Sequence, residues 1–330
     1  TPYALVAILL CASLLLFGMG RLLFGRHAFA TAGRASTAAR EQRLRGGAAA
    51  LAATPFLLVL CVALLPHCAV ILTSFSEPGA WYQSVLPERL NLDHWREALG
   101  HPLTVASIAN SLIYSALALL ACLVLGLGIA LVVVRSNLKY RAALDSVSML
   151  PLAVPGLVMA FGYLALSSRL GNAEWVKEST LWRNLLDVRA NPTLFLVIAY
   201  AVRRLPYMVR SAVAGLQQTS PVLEEAAQSL GATPLRAWRR ITFPLIAANL
   251  IAGGLLVFAF SMLEVSDSLV LAQRQDHYPI TKAIFELFQL LGTGPYVAAA
   301  LGVWAMLLLG LTLLTASLAL GRRLGALFRV

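Results

Sequence analysis

Apolar stretches of about 20 residues or more recur along the whole chain, and each is long enough to cross roughly 30 Å of hydrocarbon as a helix. That recurrence constrains the fold more than any other feature. Lipid offers no hydrogen bonds, so each stretch must satisfy its own backbone by forming a helix. The charge content agrees: charged residues make up 12% of the chain, against about 25% in soluble domains, too few to solvate a water-facing surface of this size. The expected fold class is therefore an all-α integral membrane protein.

Seven membrane helices are expected, at approximately Pro2–Leu23, Ala48–Thr73, Thr104–Val134, Ala142–Ser167, Thr193–Gln217, Leu245–Ala272 and Val297–Leu320. Asp145, Pro151 and Pro155 interrupt the fourth, and Arg203, Arg204 and Pro206 the fifth. Proline within a membrane helix kinks it, and neighbouring helices can satisfy the freed carbonyls.

The net charge of +11 does not point to nucleic acid, because the basic residues fall in short bursts between apolar segments, the pattern that orients helices in a membrane. Arg21 and segments 25–47, 135–141, 203–244 and 322–330 carry 18 of the 26 Lys and Arg. Segments 74–103, 168–192 and 273–296 carry the other eight, with nine of the acidic residues. The first set is expected to be cytoplasmic, and with it the C-terminus. On the opposite side, Leu92–Leu99 has apolar residues at amphipathic spacing and Ile284–Leu291 is mostly apolar. Both read as short helices that lie at the interface or pack on the bundle.

The chain starts at Thr1, and no basic residue precedes its first apolar segment, which therefore does not read as a secretory signal. Residues 9–16, LLCASLLL, resemble residues 313–320, LLTASLAL. Either Leu-rich helices coincide here by chance, or helix 1–23 is the last helix of a preceding, related half. In the second case the Arg-, Ala- and Gly-rich segment 24–47 is a cytoplasmic linker, and 48–330 is a domain of six helices.

The most informative segment is Thr219–Pro244, between the fifth and sixth expected helices. Ser220 is placed to cap a helix with Pro221 at its first position, and Gly231 to end that helix in the left-handed region. Thr233 and Pro234 repeat the start signal, and Pro244 is expected to mark the exit into the membrane. The result is a helical elbow. Its sequence closely resembles the EAA loop of type I ABC importer permeases: Glu225-Ala226-Ala227, three residues, Gly231, nine residues, then Ile241 and Pro244. All spacings match, and Phe243 stands where the family usually has Leu.

This resemblance, which extends over roughly residues 48–330, implies a six-helix permease core with one extra N-terminal helix, in the inner membrane of a bacterium. It implies that the helix around Glu225–Ser229 inserts into a groove of a separate ATPase subunit. Small Ala226 and Ala227 would permit close approach, Glu225 would offer a charge, and Gly231 would set the elbow angle. The implied partners are that ATPase, an extracytoplasmic substrate-binding protein, a second permease half and the bilayer. No cofactor is expected on this chain, ATP and Mg being used by the partner. The sequence agrees: its three lysines, Lys139, Lys177 and Lys282, lie outside any phosphate-loop context, and HExxH, CxxC and GxSxG are absent.

For the substrate path, Glu264 and Asp267 in SMLEVSDSL share a helix face, with Ser261 and Ser268 close by. Acids within a membrane segment are costly and mark function; the alternative is that the helix ends here and both meet interfacial water. A glutamate at this place resembles ferric-iron permeases, so ferric iron is the favoured substrate, ahead of polyamines, phosphonates, thiamine and inorganic oxyanions. A proton-coupled secondary transporter using the same acids is the alternative from another class. Arg203 and Arg204 read as the inner end of the fifth helix, snorkelling to phosphate, or else as an anion-attracting vestibule. Arg141 and Asp145 are expected to pair. Asn110 and Ser111 are read as packing residues, and the four cysteines as buried small hydrophobes. The histidines show no metal-ligand spacing.

Overall fold

The computed structural model describes residues 45–81 and 84–327, with parts of 7–19. The described residues are helical apart from turns and one isolated β-bridge, Ser76 with Leu90. In chain order the elements are α1 (Gly47–Phe75), α2 (Asp93–Gly100), α3 (Pro102–Arg135), α4 (Arg141–Met149), α5 (Gly156–Gly171), α6 (Glu174–Lys177) and α7 (Thr180–Leu186). They continue as α8 (Thr193–Gln218), α9 (Val222–Ser229), α10 (Pro234–Ala237), α11 (Phe243–Met262), α12 (Ser266–Leu271), α13 (Ile280–Phe288) and α14 (Gly294–Leu327).

Among the described residues, four helical stretches are long and apolar enough to span a membrane: α1, α3, the continuous run Pro234–Met262, and Gly294–Thr315 within α14. A bent pair, Arg141–Leu152 with Gly156–Gly171, makes a fifth if it counts as one span. The chain is thus a multi-pass membrane protein. Three differences from the expected spans have physical causes. The fourth is folded by 99° at Ala153–Pro155, where Pro151 and Pro155 remove backbone donors. The fifth is the 26-residue α8, but Arg203, Arg204 and Arg210 keep it outside the four. The sixth ends at Met262, and its expected last turns form a separate helix, α12. The expected helix 2–23 falls mostly outside the described residues, as does segment 24–44.

The core is built by α3, α8 and α11. Small residues bring these helices together: a Cβ on Gly126 would stand 2.6 Å from Met208 Cγ, and one on Gly253 2.6 Å from Ser211 Cβ. Close backbone approach of this kind is how helices associate in lipid, where no hydrophobic gradient drives them. Around this centre lie Tyr114, Leu196, Tyr200, Met208 and Val257, all buried. A second cluster joins α2, α13 and α14 through Ala98, Ile280, Leu287 and Leu301, so Ile284–Leu291 packs on the bundle through Ile284 and Leu287, with Ile280 and Ala283 of the turn before it. α1 packs along α14 and leaves Leu51, Phe56, Val59 and Leu65 exposed, as on a lipid-facing helix.

The expected packing role of Asn110 and Ser111 takes a specific form. Asn110 Nδ2 donates to the Asp276 and Tyr278 carbonyls, and Ser111 Oγ accepts from Ile280 N at 2.7 Å, tying the segment before α13 to α3. Two other expectations are corrected. Asp145 pairs with Arg210 on α8 at 3.3 Å, while Arg141 turns back to donate to the Ser136 carbonyl. Of the four cysteines only Cys122 is buried; Cys11, Cys61 and Cys68 are exposed on helices whose surroundings would be lipid.

Candidate functional site

The elbow at 219–244 leaves one end of the bundle between α8 and α11. Its first helix, α9, begins one residue later than expected. Ser220 makes no side-chain cap; the first turn closes on the Ser220 and Pro221 carbonyls, because Pro221 already has helical dihedrals. At the other end Gly231 has φ of 89°. Its N–H donates to the Gln228 carbonyl, and Ala232 N–H to that of Ala227. This pair of bonds is a Schellman motif, which satisfies the last carbonyls and turns the chain sharply. Thr233 then caps α10, its Oγ1 accepting from Arg236 N at 3.3 Å.

Pro244 does not break the helix. α10 passes into α11 through a π-helical turn at Trp238–Thr242, where Phe243 N–H reaches back five residues to the Trp238 carbonyl. Pro244 cannot donate, so the change of bonding register just before it removes little pairing that a regular helix would have kept. The elbow's second arm and a membrane-spanning helix are consequently one continuous rod.

What fastens the first arm to that rod is Glu224, a residue the motif passes over. Its Oε1 accepts from Thr242 Oγ1 at 2.5 Å and lies 3.9 Å from Arg135 Nη2. Arg135, at the end of α3, also donates to the Thr219 carbonyl at 2.8 Å. Thr242 is fully buried. Glu225 and Ala226, by contrast, are exposed, as is Gly231, while Ala227 and Ile241 are half-buried. Beside them Val222, Leu223, Leu230 and Leu235 present large apolar side chains, with Leu230 90% exposed. The elbow therefore offers an exposed, partly apolar surface held from behind by polar bonds.

Deep in the bundle lies a second arrangement. Arg203 Nε donates to Asp267 Oδ2 at 3.1 Å, its Nη2 to Asp267 Oδ1 at 3.3 Å and to the Gly156 carbonyl at 3.0 Å. Arg204 Nη2 pairs with Glu264 Oε2 and donates to the Phe260 carbonyl at 2.9 Å. Glu264 Oε1 in turn accepts from the backbone of Ser266 and Asp267, capping the start of α12. Ser268 Oγ donates to the Glu264 carbonyl and meets Tyr200 Oη at 2.6 Å; Thr281 Oγ1 donates to the same carbonyl. All four charged side chains are at most 13% exposed.

Arg203 and Arg204 thus do not mark the end of a helix. They sit near the middle of α8 because two acids on a broken helix neutralise them there. Gly156, at the start of α5, has no side chain because a Cβ would stand 2.6 Å from Ser266 Oγ. Two interrupted helices, α4–α5 and α11–α12, meet around this charge cluster. Irregular backbone at membrane depth is tolerated only where protein or a water-filled cavity surrounds it. Glu264, Asp267 and Ser268 are brought together by the structure, but as buried members of an ion-paired and hydrogen-bonded network. No group of three metal-ligating side chains occurs among the described residues.

At the end of the bundle opposite the elbow, a cavity of about 420 Å³ is lined by Lys177, Arg183, Asp187 and Arg189, with Gly171 and Asn172. Arg189 is held by Asp187 at 2.9 Å. Lys177 and Arg183 have no ion-pair partner among the described residues.

The chain is 31% identical over 218 residues to the spermidine/putrescine transport system permease protein of Escherichia coli, covering 64% of this chain and 76% of that one. It is 28% identical over 211 residues to the sulfate transport system permease protein of Salmonella typhimurium (63% and 69% covered). With the molybdenum transport system permease protein of Escherichia coli it shares 36% over 160 residues (47% and 66%). Its fold is similar to that of a chain in the crystal structure of a bacterial ABC transporter involved in import of the acidic polysaccharide alginate, with a TM-score of 0.62, 20% identity, and coverage of 82% of this chain and 94% of that one. Residues 122–320, more than half the chain, match the family described as the binding-protein-dependent transport system inner membrane component, and the chain belongs to that family.

Proposed function

We propose that this chain forms the translocation path of a type I ABC importer and that its elbow, 219–244, is the surface through which a separate ATPase drives it. The general role as an importer permease follows from the family, as does the use of ATP and Mg by another subunit. The observation that carries the coupling assignment is the rigid connection from elbow to membrane. Exposed Glu225 and Ala226 and half-buried Ala227 lie on a helix fastened through Glu224 to Thr242, one residue from the membrane-spanning α11. A push on α9 is therefore delivered to α11, with Gly231 setting the angle between the arms and Ile241 and Pro244 lying in the rod.

The full reading places six spans in 48–330, with α8 and the bent α4–α5 pair included. Helix 1–23 is an additional span from a preceding half, and 24–47 a linker. The elbow and the C-terminus face the cytoplasm of a bacterial cell, as the 18-to-8 distribution of Lys and Arg supports. An extracytoplasmic binding protein and a second permease half complete the importer.

On the substrate path, Glu264, Asp267 and Ser268 act by holding the junction of two interrupted helices. Both carboxylates are taken up by arginines, which leaves ferric iron no free oxygen ligands at this point. Lys177 and Arg183 in the opposite cavity favour a small inorganic oxyanion, in keeping with the sulfate- and molybdenum-transporting relatives. Uptake of labelled sulfate, molybdate, spermidine and ferric iron into vesicles containing the complete importer tests this order. Uptake of iron or spermidine alone would refute the oxyanion reading, and ATP-independent uptake would refute the importer reading itself.

A further inference from the structure

Arg236, Arg239 and Arg240 form a stripe on the rod that leads from the elbow into α11, spread across its π-helical turn, and Phe243 follows just beyond that turn. All three arginines are exposed, and none has a side-chain hydrogen bond or ion pair among the described residues. Other arginines at this end are engaged: Arg135 with Glu224 and Thr219, Arg141 with Ser136, and Arg210 with Asp145. With Thr233 and Leu235 the three line a concavity of about 370 Å³. Like charges crowded along one helical turn repel each other, so the arrangement calls for an anion.

The depth of the stripe identifies which anion. Phe243 and Leu245 are exposed apolar residues at the start of the span, 41% and 54% accessible, where lipid chains would cover them. Back from Phe243 the rod rises at most about 1.5 Å per residue, since the π-helical turn is the more compact part. Arg240 therefore stands up to about 4.5 Å beyond the apolar edge and Arg236 up to about 10 Å beyond, within the headgroup layer. Trp238, which packs on Phe243 with ring centroids 5.4 Å apart, lies at the same level, where tryptophans gather at membrane interfaces.

We propose that this stripe is a binding site for the headgroup of an anionic phospholipid, gripped by Arg236, Arg239 and Arg240 while its chains run down past Phe243 and Leu245. Three arginines at a membrane surface strengthen attraction to anionic lipid by on the order of 10²-fold. Because the stripe belongs to the rod that carries the elbow, a bound lipid anchors the rod's entry point and gives the elbow a fixed pivot. The lipid site is independent of the substrate reading; it takes the elbow's second arm and leaves Glu225, Ala226 and Ala227 on α9 to the ATPase.

The purified chain would be placed in nanodiscs of phosphatidylcholine alone or mixed equally with phosphatidylglycerol, then extracted and weighed intact to count retained phosphatidylglycerol. The wild type should retain phosphatidylglycerol, and R236Q/R239Q/R240Q should lose most of it. R236K/R239K/R240K, which keeps the charge, should recover part of the retention, and the single change R239Q should fall between. Monodisperse elution of the single and Lys variants separates lost lipid from lost fold. Equal retention by wild type and the triple Gln variant would overturn the proposal. So would displacement of the lipid by inorganic phosphate at millimolar concentration, which would make the site one for a free anion. Loss of ATPase co-purification with lipid retention unchanged would assign the stripe to the protein partner instead.

Discussion

The elbow and the buried charge cluster are both polar constructions attached to α11, one at each end, yet they are held by opposite means. Elbow contacts are mostly local: Gly231 to Gln228, Ala232 to Ala227, Thr233 to Arg236, and Glu224 to Thr242 across the turn. Cluster contacts join residues more than 40 positions apart, Arg203 to Asp267 and Gly156, and Arg204 to Glu264. The elbow's outer face is surrounded by water or a partner, so its exposed bonds are worth little and can be exchanged; of these contacts only that between Glu224 and buried Thr242 is shielded. The cluster is shielded from both, so its members depend on one another. One end presents its contacts outward, and the other holds four charges that neutralise one another inside the bundle.

The largest effect is expected at the cluster. Arg203→Ala leaves Asp267, which is fully buried, with an uncompensated charge, and removing one partner of a buried pair costs about 3–5 kcal/mol. The measurement is thermal unfolding of the detergent-solubilised protein. Arg203→Met with Asp267→Leu should lose much less, since an apolar pair of similar volume avoids the orphaned charge. If the single and double variants melt together, the cluster is not an interdependent unit.

The contrast also explains what the sequence could reveal. Elbow signals lie within a few residues of one another: Gly231 where a left-handed residue ends a helix, Thr233-Pro234 where the next begins. Even there Ser220 was expected to cap, and backbone carbonyls do so instead. The cluster had a signal of a different kind, two adjacent arginines in one apolar segment and two acids in another, equal in number and opposite in sign. Read segment by segment, Arg203 and Arg204 looked like a helix end. Only the partner segment, some 60 residues on, turns them into an interior pair. The 99° bend at Ala153–Pro155 was equally out of reach, because prolines mark an interruption without giving its angle.

A smaller loss of stability, but a large loss of transport, is expected from Gly231→Val. At φ of 89° a β-branched residue is strained by about 1–3 kcal/mol. Nothing lies within 4 Å of the added Cβ, so the effect comes from backbone conformation alone. Insertion into the membrane should be normal, measured by fractionation, while uptake falls. Gly231→Asn should recover part of it, as Asn tolerates this region better. Full uptake by the Val variant would detach the elbow's shape from coupling.

Adjacent glutamates divide the elbow further. Glu224→Ala removes the bond to Thr242 and leaves a buried hydroxyl unpaired, a cost of about 1–3 kcal/mol. ATPase capture should persist while ATP hydrolysis no longer drives uptake. Glu225→Ala touches no internal contact of that kind and should weaken ATPase capture itself. Co-purification and the ratio of transport to hydrolysis distinguish the two. Identical behaviour of both variants would mean that fastening and docking are not separate functions of this helix.

The smallest effect tests depth itself, with similar chemistry at a different exposure. Arg210 meets Asp145 at 3.3 Å, close to the 3.1 Å of Arg203 and Asp267, but its side chain is 54% exposed and that of Asp145 19%. Water and salt screen such a pair, and exposed ion pairs contribute about 0–1 kcal/mol. Arg210→Gln also retains an amide donor for the half-buried carboxylate, so Asp145 is not stranded. The expected change in thermal stability is therefore under about 1 kcal/mol, and it should shrink further as ionic strength is raised. In Arg203→Ala the loss should be nearly independent of salt, because the cluster lies where counterions do not reach. Comparing the two variants across a salt series separates burial from bond length as the source of strength. An equal, salt-insensitive loss in both would place the Arg210–Asp145 pair in the same shielded interior and erase the distinction between the exposed and the buried pair.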